Sequence, residues 1–209
     1  MDIYNVIYEN KNFSNAFKYI FFNNKSNNAP YHHLNHMVMV SKWAYIIYLS
    51  DLQKRDELKR EGVFENLIIS CLFHDMNHSM GEENDEYNVK QSIESFKKWY
   101  SEYEPKGIDK DIVIQTIKAT QYPYVIKDED LNYLQCIIRD ADLLVSHDTD
   151  WLNNIIFGLK KEMGVDEMEK MIDGNISFHS NINMRTDFGK NIEWKPLKQL
   201  KQLKEILYK

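Results

Sequence analysis

The amino-acid sequence predicts an all-α, single-domain helical bundle, and three observations carry that expectation. Glycine and proline are scarce, 7 and 4 residues of 209, so few positions interrupt a helix. Long segments space their apolar residues three and four apart, which draws an apolar stripe along a helix. No run alternates apolar and polar residues over the length of a strand. With 43% hydrophobic residues the chain can bury a core unaided.

The elements follow in order. A first helix is expected over residues 13–22, ending in the polar turn 23–28. Pro30 then opens a second helix over 31–52, because a first turn tolerates the missing N–H. A third, 61–73, carries Val63, Phe64, Leu67, Ile68, Cys71 and Leu72 on a wide apolar face. Further helices are expected over 85–103, 109–120, 129–146, 149–163, 166–172 and 196–208. The polar stretch 174–194, with two glycines, reads as a long irregular segment of the kind that is often functional or mobile. Neither an internal repeat nor an interdomain linker is visible, so residues 1–209 are read as one domain.

Charge and composition narrow the function classes. Lysine and arginine number 26 against 32 acids, a net of −6, and the basic residues are dispersed. That pattern argues against a grip on long nucleic acid, while a bound dication could still attract a small anion. There is no long uncharged apolar run, and the first residues lack the layout of a secretion signal. A soluble protein in the cytoplasm, with no membrane partner, is therefore expected. Cys71 and Cys136 each sit in an apolar stretch and are expected as free thiols.

Five of the seven histidines fall in two clusters: His32, His33 and His36, then His74 and His78. On helices, residues four apart share a face, so each cluster could present two imidazoles to one site. Alone, the first cluster reads more readily as three surface or capping histidines on an amphipathic helix. The pair His74-Asp75 ends the apolar run 67–73, where burial of polar groups is expensive unless something binds them. Imidazole nitrogen and carboxylate oxygen together suit divalent ions. Acids for the same ion are available in Ile137-Ile138-Arg139-Asp140-Ala141-Asp142; Asp140 and Asp142 lie on different sides of a helix, so only one should face the site.

His36, then His74-Asp75, then Asp142 resembles the H…HD…D signature of the HD superfamily of metal-dependent phosphohydrolases. Tyr31-His32-His33-x-x-His36 is similar to the opening of cyclic-nucleotide phosphodiesterases and of small bacterial and phage HD hydrolases, with His33 where an asparagine is usual. Phe73-His74-Asp75-Met76-Asn77-His78-Ser79-x-Gly81 resembles their F-H-D-x-x-H-x-x-G, and Asp85-x-x-Asn88, Ile117-x-Ala119-Thr120 and Asp140-Ala141-Asp142-Leu143 follow in the family order. The likeness spans a motif core, 29–145, and leaves 146–209 as a C-terminal helical extension. The spacing from His74 to Asp142 is shorter than in animal phosphodiesterases, and their base-reading glutamine has no clear counterpart; Gln199 matches by type only.

The resemblance implies an HD helical bundle in which His36, His74, Asp75 and Asp142 hold a divalent metal. Asp75 would bridge to a second ion, each ion being Mn, Fe, Co, Ni, Zn or Mg, and a hydroxide bridging the two would attack the phosphorus. His32 would protonate the leaving oxygen, and His78 would ligate the second ion or orient the attacking oxygen. Asn88, Thr120, Arg139 and Tyr122 could contact substrate, each with an ordinary structural alternative; for Arg139 that is an ion pair. His147 and His179 stand alone and read as structural or surface residues. The expected substrate is a small nucleotide, a phosphodiester ahead of a monophosphate cleaved by an HD nucleotidase. A different class of reading is a catalytically idle HD fold that binds a nucleotide or a protein.

Overall fold

Residues Val63–Phe73 are apolar around almost the whole helical circumference, and such a helix has to sit inside a protein. In the computed structural model, which describes residues 2–208, this helix is the axle of the molecule. The described chain is helical throughout, with no strand: α1 Ile3–Glu9, α2 Lys11–Asn23, α3 Leu34–Asp51, α4 Val63–Phe73, α5 Asp85–Tyr103, α6 Lys110–Lys118 and α7 Tyr133–Leu144. Next, α8 (Trp151–Asn153) continues through a π-helical stretch, Asn154–Leu159, into α9 (Lys160–Glu162). α10 (Met168–Ser180), α11 (Asp187–Asn191) and α12 (Pro196–Tyr208) complete it. The all-α bundle is as expected, and no helix among the described residues is long and apolar enough to cross a membrane.

α4 packs against α2, α3, α5, α6 and α7, and α3 packs against α4 and α7. One side of α4 contributes Ile69 and Phe73 to a cluster with Phe13, Ile20, Phe96 and Trp99, all fully buried. Leu67 and Cys71 enter a second cluster with Val40, Ile47, Ile138 and Leu144. Truncating a ring such as Phe73 to alanine costs about 3–5 kcal/mol. Cys71 and the half-buried Cys136 are free thiols.

Several boundaries differ from the sequence reading, for local reasons. α1 is an additional helix, started by the Asp2 carboxylate accepting from Tyr4 N–H. α3 begins three residues after Tyr31, at Leu34, because His33 is its N-cap and accepts from His36 N–H at 3.4 Å. α7 starts at Tyr133 because Asn132 and Gln135 form a reciprocal capping box.

The expected irregular stretch 174–194 is a correction: α10 runs on to Ser180 and α11 occupies Asp187–Asn191, leaving 181–186 and 192–194 outside helices. The 181–186 loop is anchored by buried Asp140, which accepts from Arg185 N–H, Thr186 N–H and Thr186 Oγ1 at 2.7–3.1 Å. Phe188 and Trp194 pack on the second core cluster, so the C-terminal segment is joined to the motif core.

Candidate metal centre

Three helix ends converge on one point. His36 lies in the first turn of α3, His74 is the C-cap of α4, and Asp142 lies in the last turn of α7. Asp75 can join them because α4 stops: the chain reverses through Asn77 (φ 66°), Met80 (φ 57°) and Gly81 (φ 85°). Asparagine and glycine enter this left-handed region most readily. Asn77 is also pinned from three sides, by Asn24 Oδ1 (2.8 Å), Lys25 N–H (2.8 Å) and Ser95 Oγ (2.9 Å).

His36 Nε2 lies 3.1 Å from Asp75 Oδ2 and 3.2 Å from Asp142 Oδ1; His74 Nε2 lies 3.0 Å and 4.0 Å from the same oxygens. The four sequence-predicted ligands therefore come together. Asp140, their neighbour, is turned away and serves the 185–186 backbone, as its place on the helix requires.

His74 tests whether the group fits a cation. Its Nδ1–H donates to the Cys71 carbonyl at 2.7 Å, a bond that fixes the tautomer and leaves Nε2 with its lone pair. That nitrogen is buried, has no hydrogen-bond partner, and faces a carboxylate oxygen at 3.0 Å. Two electron-rich atoms at such a distance call for a positive charge between them. The surroundings favour one. Burial opposes charge on His36, yet hydrogen bonds to Asp142 and Asp75 push its pKa up to about 10. Burial likewise disfavours charge on Asp75, but positive charge at His74 and the His36 N–H hold it well below the usual carboxylate range. Against burial, Asp75 and Asp142 raise the His74 pKa, so the point favours positive charge whether a proton or a metal ion carries it.

A second cluster of ligating side chains, His32, His78 and Glu162, could also hold a metal ion, though all of its ligand atoms except His32 Nε2 already have partners. Glu162 Oε1 accepts from Tyr31 N–H (2.6 Å) and His32 N–H (2.9 Å), and Oε2 lies 2.5 Å from His32 Nδ1. The His32 ring is thus oriented by a carboxylate, with Nε2 the nitrogen left for the cavity that His32 lines. His78 stacks on His32, ring centroids 3.8 Å apart, and its two nitrogens meet Met80 N–H (3.1 Å) and Asn88 Nδ2 (3.0 Å). Burial, with His32 beside it, lowers the His78 pKa to about 4, so it is neutral near pH 7.

Neither His32 nor His78 is on a helix, which corrects the helical-face premise for both pairs. His32 precedes α3 and His78 follows the turn after α4, so they meet each other across the cavity mouth.

Glu162 was not foreseen. It is 130 residues from His32 in sequence, yet a signal was there: Trp151, Ile155 and Glu162 lie at i, i+4 and i+11, and a carboxylate on an apolar stripe needs a buried partner. Two glycines let its helix approach. A Cβ on Gly158 would lie 2.6 Å from the Pro30 carbonyl oxygen, and one on Gly81 would lie 2.4 Å from the Glu162 carbonyl oxygen.

The site opens into a cavity of about 720 Å³ lined by Asn88, Thr120 and Tyr122 as well as His32, His78 and Asp142. Arg139 is absent from the lining, so the substrate contact suggested for it is not made, and it forms the structural ion pair that the sequence favoured. Its guanidinium is buried, bonded to the Ala119 (2.6 Å) and Ile126 (2.9 Å) carbonyls and to Asp128 (3.2 Å), and it stacks on Tyr124. Gln199 is exposed on α12. His147 and His179 do not stand alone: both pack on Trp194, and His179 lines the cavity's far side. Comparison with protein-family models, curated proteins and solved structures finds no match to this chain, so the site is characterised by its own geometry.

Proposed function

We propose that this protein is a metal-dependent phosphohydrolase of the HD type, acting on a phosphate ester of a small nucleotide, most readily a phosphodiester. The observation that carries the reading is the buried, unpartnered Nε2 of His74 facing two carboxylates and a second imidazole. His36, His74, Asp75 and Asp142 would hold the ion, and a second ion, as the resemblance implies, would share Asp75. When bound, such ions withdraw charge from a phosphoryl oxygen and lower the pKa of water toward neutrality.

The remaining work falls to the chain. His32 lies beside the ligand cluster, its ring 5.6 Å from that of His36, and can deliver a proton to the leaving oxygen. Glu162 keeps that ring in one orientation, and His78 backs it from the other face. A module that only bound nucleotide would have no use for a carboxylate-oriented imidazole next to a cation cluster.

The test is metal content and turnover together. Protein purified without chelator should retain about one or two divalent ions per chain and hydrolyse bis(p-nitrophenyl) phosphate, losing both in EDTA and regaining both with Mn²⁺, Co²⁺ or Zn²⁺. Protein that retains only trace metal and gains no activity from any of these ions overturns the proposal.

A further inference from the structure

Beyond its mouth the cavity changes character. The C-terminal segment lines it with Trp151, Ile155, Leu159, Met171 and Phe178, and Tyr122 joins them in contact with Phe178. Tyr122 and Phe178 are 52% and 36% exposed, and their rings stand edge to face at 5.7 Å. At about 720 Å³ the space is far larger than a phosphate group needs and falls within the range that holds a whole small ligand.

Its charge is one-sided. Glu83, Asp85, Asp142 and Glu162 line it, against one fixed cation, Lys170, whose ammonium is 2.7 Å from Glu167 and whose side chain is 70% exposed. The nearest arginines are committed elsewhere: Arg139 to two carbonyls and Asp128, Arg185 to Asp128 (2.8 Å) and the Asn183 carbonyl (2.8 Å). A phosphate at the metal cluster has its countercharge there. A second phosphate elsewhere in the cavity meets carboxylates, apolar side chains and neutral polar groups such as Thr120, Ser146 and Asn175, with Lys170 as the one lysine or arginine in the lining to offset its charge.

We infer that the cavity selects ligands with a single phosphate group and an uncharged, largely aromatic body of nucleoside size, and rejects nucleoside di- and triphosphates. The inference rests on the phosphohydrolase reading of the same site. Tyr122 and Phe178, in contact with each other, form one aromatic edge for the body to pack on, and the 151–171 wall sets its size. Specificity therefore comes from the C-terminal segment together with Tyr122, Glu83 and Asp85 of the motif core, which also supplies the metal ligands.

Isothermal titration of the full-length protein tests this, with adenosine, guanosine, cytidine and uridine and their 5′-mono-, di- and triphosphates, in Mn²⁺ and in EDTA. Within the best-bound series, the monophosphate should bind tightest in Mn²⁺, and each added phosphate should weaken binding at least tenfold. Phe178→Ala and Tyr122→Ala should each weaken nucleoside and monophosphate about tenfold with metal content unchanged; both positions are exposed enough for the variants to fold. Diphosphates binding as tightly as monophosphates, or unaltered affinity in both variants, overturns the inference. The two readings fail separately. Protein that hydrolyses bis(p-nitrophenyl) phosphate but binds di- and monophosphates alike loses the inference and keeps the phosphohydrolase reading. Protein that holds no metal yet binds nucleosides through Phe178 loses the phosphohydrolase reading and keeps the aromatic-body part of the inference.

Discussion

Replacing Glu162 by glutamine isolates what one carboxylate does for His32. In the native protein Oε2 accepts the His32 Nδ1 proton at 2.5 Å while Oε1 holds the Tyr31 and His32 N–H groups at 2.6 and 2.9 Å. Glutamine keeps an oxygen for the two backbone donors, so stability should fall by less than about 1.5 kcal/mol. Its amide N–H₂, however, now donates toward Nδ1. That forces the opposite tautomer on the imidazole, whose Nε2 then carries its proton only as a neutral, very weak acid.

General acid catalysis contributes about 10²–10⁴ in rate, and a reversed tautomer forfeits most of it. For an alkoxide leaving group, kcat in Glu162→Gln should fall by about 10²–10³. For p-nitrophenolate, which leaves without a proton, the loss should stay below about tenfold. The assay is kcat across phosphodiesters of graded leaving-group pKa, with metal per chain measured alongside by mass spectrometry. Equal losses across the series, or loss of metal, would show that Glu162 supports the fold or the ion rather than the acid. Glu162→Ala provides the contrast, since it orphans both N–H groups and should cost about 2–5 kcal/mol in denaturant unfolding.

Other expectations follow from the same geometry. His74→Ala or Asp75→Ala should abolish metal retention and turnover together, whereas His32→Ala should keep its metal and lose about 10²–10³ in kcat; metal loss in the His32 variant would mark it as a ligand. Gly81→Ala should destabilise by about 2 kcal/mol or more and lower kcat, because it combines a positive φ with a Cβ 2.4 Å from a backbone oxygen. His179 supplies a pH prediction: burial, with His147 close by, lowers its pKa to about 4. The unfolded chain takes up that proton near pH 6.5 and the folded chain resists to about pH 4, so the unfolded state binds more protons in that window and stability falls with pH. Wild-type protein should lose about 3 kcal/mol from this residue between pH 7 and 4, measured by urea unfolding, and His179→Phe should lack that part of the acid limb.

The helices with one strong local signal were legible at both ends. α5 and α12 span the expected 85–103 and 196–208, and α4 differs from its expected range only at its start. Where a boundary was missed, a side chain decided it: the Asn132–Gln135 box for α7, and His33 for α3. The second of these moved His32 off the helix and changed how it meets His78.

The sequence by itself determined the helical class, the buried axle and the histidine, His74-Asp75 and Asp140/Asp142 groups from which cation ligands could come, because apolar periodicity and the chemistry of imidazole beside carboxylate are local properties. Only the tertiary structure decided which acid of Asp140 and Asp142 faces the site, that Arg139 is bound into the wall behind it, and that Glu162 orients His32. Those outcomes depend on which groups burial leaves without a partner once distant segments pack. The cavity's apolar, cation-poor interior is of the same kind: 151–178 acquires it by folding back on the histidine loops, where Gly81 and Gly158 allow backbones to touch.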